Sequence, residues 1–189
     1  MHTKNWLDWV SENFDYIKNF SNRKYLNNKN MFIKGGKLSI GDTLHYILIQ
    51  KGRSNSIESY DFYKNFKNND TDTITASAIG QKRAYIMPKV FIDLNKKFVY
   101  GIYADTTGLP KFKDYTIISC DGSDLALPNS AEVKEAFNIS HIAFSKNYLA
   151  RRKVSCIVDS YTRLILDCTL NPEDSSEPEL AIKHIKKLI

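Results

Sequence analysis

Ser77, Gln81, Lys82 and Arg83 are grouped within seven residues and carry the groups that read nucleic acid: an amide on a helix can pair with a base edge, and Lys or Arg can settle on phosphate. They lie in ITASAIGQKRAYIM, which is predicted to be a helix capped by Thr75. The preceding IESYDFYKNF is predicted to be a short helix capped by Ser56, with Ile57, Tyr60, Phe62 and Phe66 as its apolar stripe. With the polar NNDTDT between them, the two helices have the outline of a helix-turn-helix, whose second helix would enter the major groove. The same residue types also sit on ordinary solvated helix faces. A different chemistry is offered by Asp121, a carboxylate at the point where the strand-forming YTIISC stops and Gly122 follows. Taken alone, an Asp-Gly pair after a strand is more often a turn signal.

The elements needed to position these residues divide the chain in two. LDWVSENFDYIKNF places Leu7, Val10, Phe14, Ile17 and Phe20 at helical steps, and SNRKYLNNKNMFIKGGK follows as a polar loop ending at Gly35-Gly36. IGDTLHYILI resumes the helical pattern after Ser39, and Pro88 opens a helix through PKVFIDLNKKFVYGIY. Around TTGLPKFKD the texture turns strand-like, so residues 1–108 are expected to form a helical, basic region and residues 109–189 a second domain. In the latter, SAEVKEAF is helix-like, and KVSCIVDSYTRLILDCTL reads as an antiparallel hairpin turning near Ser160 to Thr162. EPELAIKHIKKLI is predicted to be a helix with Ser176 and Glu179 as a capping box and Leu180, Ile185 and Leu188 toward one face. The fold class expected is α+β.

Charge follows the same division. Residues 1–110 hold 16 Lys and Arg against 10 Asp and Glu, a net +6, while residues 111–189 hold 11 of each. A basic region followed by a neutral one suits a polyanion-binding part joined to a part with another task. A lysine-rich solvated surface is the plainer account of the same count. The opening MHTKNWLDWVSENF lacks an uninterrupted apolar core and no later segment approaches a membrane span, which places the chain in the cytoplasm with no membrane partner. Cys120, Cys156 and Cys168 read as buried free thiols, and His2, His45, His141 and His184 show no metal-ligand spacing.

IISCDGSDLALPNS resembles the segment around the first catalytic aspartate of DDE transposases of bacterial insertion sequences, in particular the insertion-sequence-four group. CIVDSYTRLILDCTLNPEDSSEPELAIKHIKKL is similar to the hairpin and following helix of that family, and ITASAIGQKRAYIMPKVFIDL to its N-terminal helical segment, so the likeness covers residues 37–189. The resemblance implies a helix-turn-helix-like region followed by an incomplete RNase H-like domain of strand, hairpin and helix. It implies Asp121 as catalytic and metal-binding acid, with Mg²⁺ or Mn²⁺ expected only in the complete site. It implies double-stranded DNA at terminal inverted repeats as the partner, engaged by Ser77, Gln81, Lys82 and Arg83, with a homodimer forming on DNA. The reaction implied is phosphoryl transfer by two metals in DNA transposition.

Asp124 is read as stabilising a turn or standing behind the metal site, Asp159 and Asp167 as structural, and Arg151, Arg152 and Lys153 as either a phosphate-holding or a solvated cluster. The family's second Asp and its Glu have no counterpart in the 189 residues, so the chain is expected to be an N-terminal portion, inactive alone. Two other readings stand beside it: a non-catalytic DNA-binding regulator derived from a transposase, and an unrelated helical regulator whose Asp121 is only a turn residue.

Overall fold

The computed structural model describes residues 6–32, 36–67, 74–105, 109–137 and 150–188. NNDTDT, Gly35, His2, His141 and the opening TTG of TTGLPKFKD lie outside them. The chain is α+β, with seven α-helices and one three-stranded antiparallel sheet among the described residues. It forms two compact units, Met1–Thr106 and Thr107–Ile189. No helix among the described residues is long and apolar enough to cross a membrane.

Unit 1 holds α1 (Trp6–Lys18), α2 (Ile40–Ile49), α3 (Asn55–Phe66), α4 (Ala76–Ala84) and α5 (Lys89–Asp105). The pivot is α2, whose start is dictated locally: the Ser39 hydroxyl accepts from the Asp42 amide at 3.0 Å, and the Asp42 carboxylate accepts from the Ser39 amide at 3.0 Å. This reciprocal cap satisfies two helix-end donors. Lys67 then pairs with Asp42 at 2.6 Å. Burial alone would raise the Asp42 carboxyl, but Lys67 and Ser39 together hold it below its ordinary value. Residues Ile40 to Tyr46 are all buried, because α2 serves two apolar clusters. Ile40 and Leu44 pack with Ile17, Phe20, Tyr25, Leu26, Ile86, Val90 and Leu94, while Tyr46 packs with Leu38, Phe62, Tyr63 and Ile79.

Three local expectations are corrected. The polar segment after α1 is more than a loop, since Tyr25 and Leu26 are core residues, Leu26 bridges Ile86, and the Tyr25 carbonyl accepts from the Met87 amide at 2.8 Å. Helix α3 begins at Asn55 behind Ser54, so Ser56 does not cap it; its buried residues are Glu58, Ser59, Phe62 and Tyr63, and Ile57, Tyr60 and Phe66 are exposed. Glu58 is drawn inward because its carboxylate accepts from the amides of Lys51 and Arg53 at 2.8 and 2.9 Å, which fastens the preceding turn. In α1 only the C-terminal end of the predicted stripe, Ile17 and Phe20, is buried; Leu7 and Phe14 are exposed.

His45 is buried against the rings of Phe14, Phe62 and Phe66, and its Nε2 has no hydrogen-bond partner among the described residues. Burial, helped by Lys18 and Lys67 and opposed by Asp42, pushes its pKa below the ordinary histidine value. The unfolded chain therefore binds the proton more readily than the folded one. Stability contributed by neutral His45 is present above about pH 6.5 and falls as pH drops below it. A thermal melt of the chain between about pH 7.5 and 5.5 should show a falling midpoint, and His45→Phe should flatten that slope.

Unit 2 holds β1 (Ile118–Ala126), α6 (Ala131–Ala136), β2 (Arg151–Asp159), β3 (Ile165–Asn171) and α7 (Glu177–Leu188). The strand order is β1-β2-β3, each neighbour antiparallel. The hairpin closes as expected from its residues: Asp159 Oδ1 accepts from the amides of Tyr161 and Thr162 at 2.8 and 3.2 Å, and Arg163 takes a positive φ of 63°. Along β2 the residues Ser155, Ile157 and Asp159 are buried in alternation, the period of a strand with one covered face.

Candidate functional site

In unit 1 the four predicted DNA-contacting residues all lie on α4. Thr75 caps the helix as expected, its hydroxyl accepting from the Ala78 amide at 3.2 Å. Ser77 and Gln81 are one turn apart and exposed, with Ile79 buried on the opposite side. At 100° per residue Lys82 and Arg83 fall about 60° and 40° from Ile79, so they border the buried side of the helix and not the Ser77–Gln81 face. Arg83 is exposed, whereas Lys82 is half-buried with its ammonium 4.2 Å from the centre of the Phe32 ring. Arg53, Lys67 and Lys89 are each committed to a carboxylate of the same unit, Asp61, Asp42 and Asp93 respectively. The connection between α3 and α4 runs from Lys67 to Thr75, longer than the turn of about three or four residues in a helix-turn-helix.

In unit 2 the strand expected to end at Asp121 continues through Gly122 to Ala126, so Asp121 stands within β1 and Gly122 is not a turn glycine. The reason lies in packing. Gly122 faces Ser155 across the ladder, and a Cβ added there would come 3.0 Å from Glu177 Oε1 at the start of α7. The glycine makes room for the helix end. Asp124 likewise belongs to the strand, opposite Lys153, and not to a turn. Lys153 lies 3.8 Å from Glu177, the Arg152 guanidinium lies over the Phe137 ring at 5.3 Å, and Arg151 is exposed.

Asp121 is exposed, and its Oδ1 accepts from the Gly122 amide at 2.8 Å. The ladder places it opposite Cys156, which is opposite Cys168, so these three form one row on one face of the sheet. Cys120, Gly122, Ser155, Ile157 and Asp167 belong to the other face, which α7 covers. A Mg²⁺ or Mn²⁺ ion needs several hard oxygen ligands. Asp121 supplies one carboxylate and its row adds only thiols, and no group of three His, Cys, Asp or Glu able to hold a metal occurs among the described residues. Asp121 and its neighbours do not fit such an ion by themselves.

The most connected polar cluster is one that sequence reasoning did not assemble. His184 Nδ1 lies 2.7 Å from Asp167 Oδ2, His184 Nε2 lies 3.0 Å from Ser155 Oγ, and Lys187 Nζ donates to Asp167 at 2.8 Å. The order of groups is that of a serine–histidine–aspartate array. Ser155 and His184 are each only 1% exposed, so the hydroxyl has no access to a substrate, and the array ties α7 to β2 and β3. Burial would raise the Asp167 carboxyl, but Lys187 and His184 outweigh it and hold the group below its ordinary value. The buried positions of α7 are Leu180 and His184, one turn apart, while Ile185 and Leu188, expected on that face, are exposed. The only sequence signal for this array was the i to i+4 step from Leu180 to His184, which a count of apolar residues passes over.

The cysteines also differ from expectation. Cys120 and Cys168 are exposed and Cys156 is half-buried, all as free thiols, because β1 and β3 are the sheet's edges and α7 lies on the face away from Cys156 and Cys168.

No protein-family model, curated protein or solved structure matches the chain.

Proposed function

We propose that the chain is the DNA-engaging part of a DDE-type transposase of the insertion-sequence-four group. In this reading unit 1 holds double-stranded DNA at element ends, and unit 2 begins an RNase H-like catalytic domain in which Asp121 is the first metal-binding acid of a phosphoryl transfer. The observation that carries the reading is the order of unit 2: an antiparallel β1-β2-β3 sheet with Asp121 exposed on the first strand, followed by a helix laid on one face. Support from unit 1 is its net charge and α4, where Ser77 and Gln81 face outward and Arg83 is exposed on the same helix. An exposed cation such as Arg83 on a helix near the groove can neutralise a phosphate.

The stretch by itself does not cut DNA in this reading, since a lone carboxylate cannot seat the metal pair that the chemistry requires. A second reading, a non-catalytic DNA-binding regulator derived from a transposase, is favoured by one feature: the row beside Asp121 is completed by two thiols and not by acids.

Both readings require unit 1 to bind duplex DNA. With a fluorescein-labelled mixed-sequence duplex in low salt, Arg83→Ala should weaken binding by about fivefold and lower the salt slope by about 1, as expected for one lost phosphate contact. Asp121→Asn should leave that binding unchanged. Equal affinity of Arg83→Ala and the wild type would remove α4 from the interface.

A further inference from the structure

We propose that Cys156 and Cys168 form a dithiol exchange site on the face of the sheet away from α7, which a small-molecule disulfide converts to a cross-strand Cys156–Cys168 disulfide. The two residues are direct partners in the β2–β3 ladder, and their sulfurs are 3.0 Å apart. Opposed residues of antiparallel strands have Cα atoms about 4.5 to 5.5 Å apart, inside the window of about 4.4 to 6.8 Å that a disulfide requires. The bond can therefore form without moving either strand. Cys120 is excluded as partner: it is opposite Ile157, on the other face, where its sulfur lies 3.8 Å from Ser155 Oγ.

The two thiols differ in a way that sets the order of events. Cys168 is exposed and Cys156 half-buried. Burial, followed by the hydrogen bond and charge of Cys168, pushes the Cys156 thiol up to about 12. Cys168, as its thiolate, attacks one sulfur of the small disulfide, forming a mixed disulfide and releasing one thiolate, which takes up the proton Cys168 gave to solvent. Cys156 then loses its proton and attacks the Cys168 sulfur, and the second small thiol leaves. Two protein thiols are oxidised and one disulfide is reduced to two thiols, so no other oxidant is needed. The product ties β2 to β3 on the face away from α7, in the row that contains Asp121.

The test is incubation of the folded full chain with oxidised glutathione, followed by intact mass and peptide mapping. Wild type and Cys120→Ser should each show the bond mapped to 156–168, and Cys120→Ser, which lacks the exposed third thiol, should lose two hydrogens with no adduct. Cys156→Ser should stop at one glutathione on Cys168, and Cys168→Ser should react about tenfold more slowly at Cys156. Oxidation of wild type should raise its thermal midpoint by on the order of 10 °C. Stable glutathione adducts on wild type without a 156–168 bond, or a bond mapped through Cys120, would overturn the proposal, and both are read on wild type even if a serine variant fails to fold.

Discussion

Gly41→Ala should destabilise unit 1 by about 3 kcal/mol, at the upper end of what overpacking costs. An added Cβ would lie 2.2 Å from the Lys18 carbonyl oxygen and 2.6 Å from that of Ile17. Both obstacles are backbone at the end of α1, so no side-chain rotation relieves them; α1 and α2 must separate. Separation would open the cluster in which Ile17 and Phe20 meet Ile40 and Leu44. The comparison is Gly80→Ala in the interior of α4, where nothing lies within 4 Å of the added atom. There the helix propensity of Ala should stabilise by about 0.8 kcal/mol. Urea melts of the two variants, opposite in sign for the same chemical change, measure the α1–α2 approach directly.

Unit 2 should lose about 3 kcal/mol on His184→Ala. Among the described residues the ring is the only group that bonds both Asp167 and Ser155. Its removal leaves a cavity under α7 and, among the described residues, a buried hydroxyl with only the weak Cys120 contact at 3.8 Å and a carboxylate held by Lys187 alone. Lys187→Ala should cost under about 1 kcal/mol, because that ammonium is 53% exposed and its pairing is screened by water. If the two variants melted together in urea, the histidine would not be the clamp described here.

What could be read from residue order, and what could not, follows from the range of the forces involved. Helix α2 begins after Ser39, where the helical pattern was read to resume, and the reciprocal cap that fixes it is complete within four residues. Thr75 at α4 and the Asp159 turn of the hairpin were legible for the same reason. Gly122 misled because a glycine after Asp is a turn signal locally, whereas its use here depends on Glu177, more than fifty residues later. The α3 stripe was misplaced because Glu58 and Ser59, polar and so not counted in it, are buried by bonds to Lys51, Arg53 and Ile74. His184 was missed in the same way: its two partners come from different strands, and a buried polar network leaves no periodic mark. The residues of the candidate DNA face were named correctly as belonging to one helix, but the hold of Phe32 on Lys82 depends on a ring fifty positions upstream.

The measurement that bears most directly on the proposed function is the salt dependence of duplex binding by the full chain, followed by fluorescence anisotropy. If unit 1 grips the DNA backbone through about four cations, log K should fall against log salt with a slope of about −3.6. Binding that is absent at low salt, or that holds the same strength as salt rises, would contradict it.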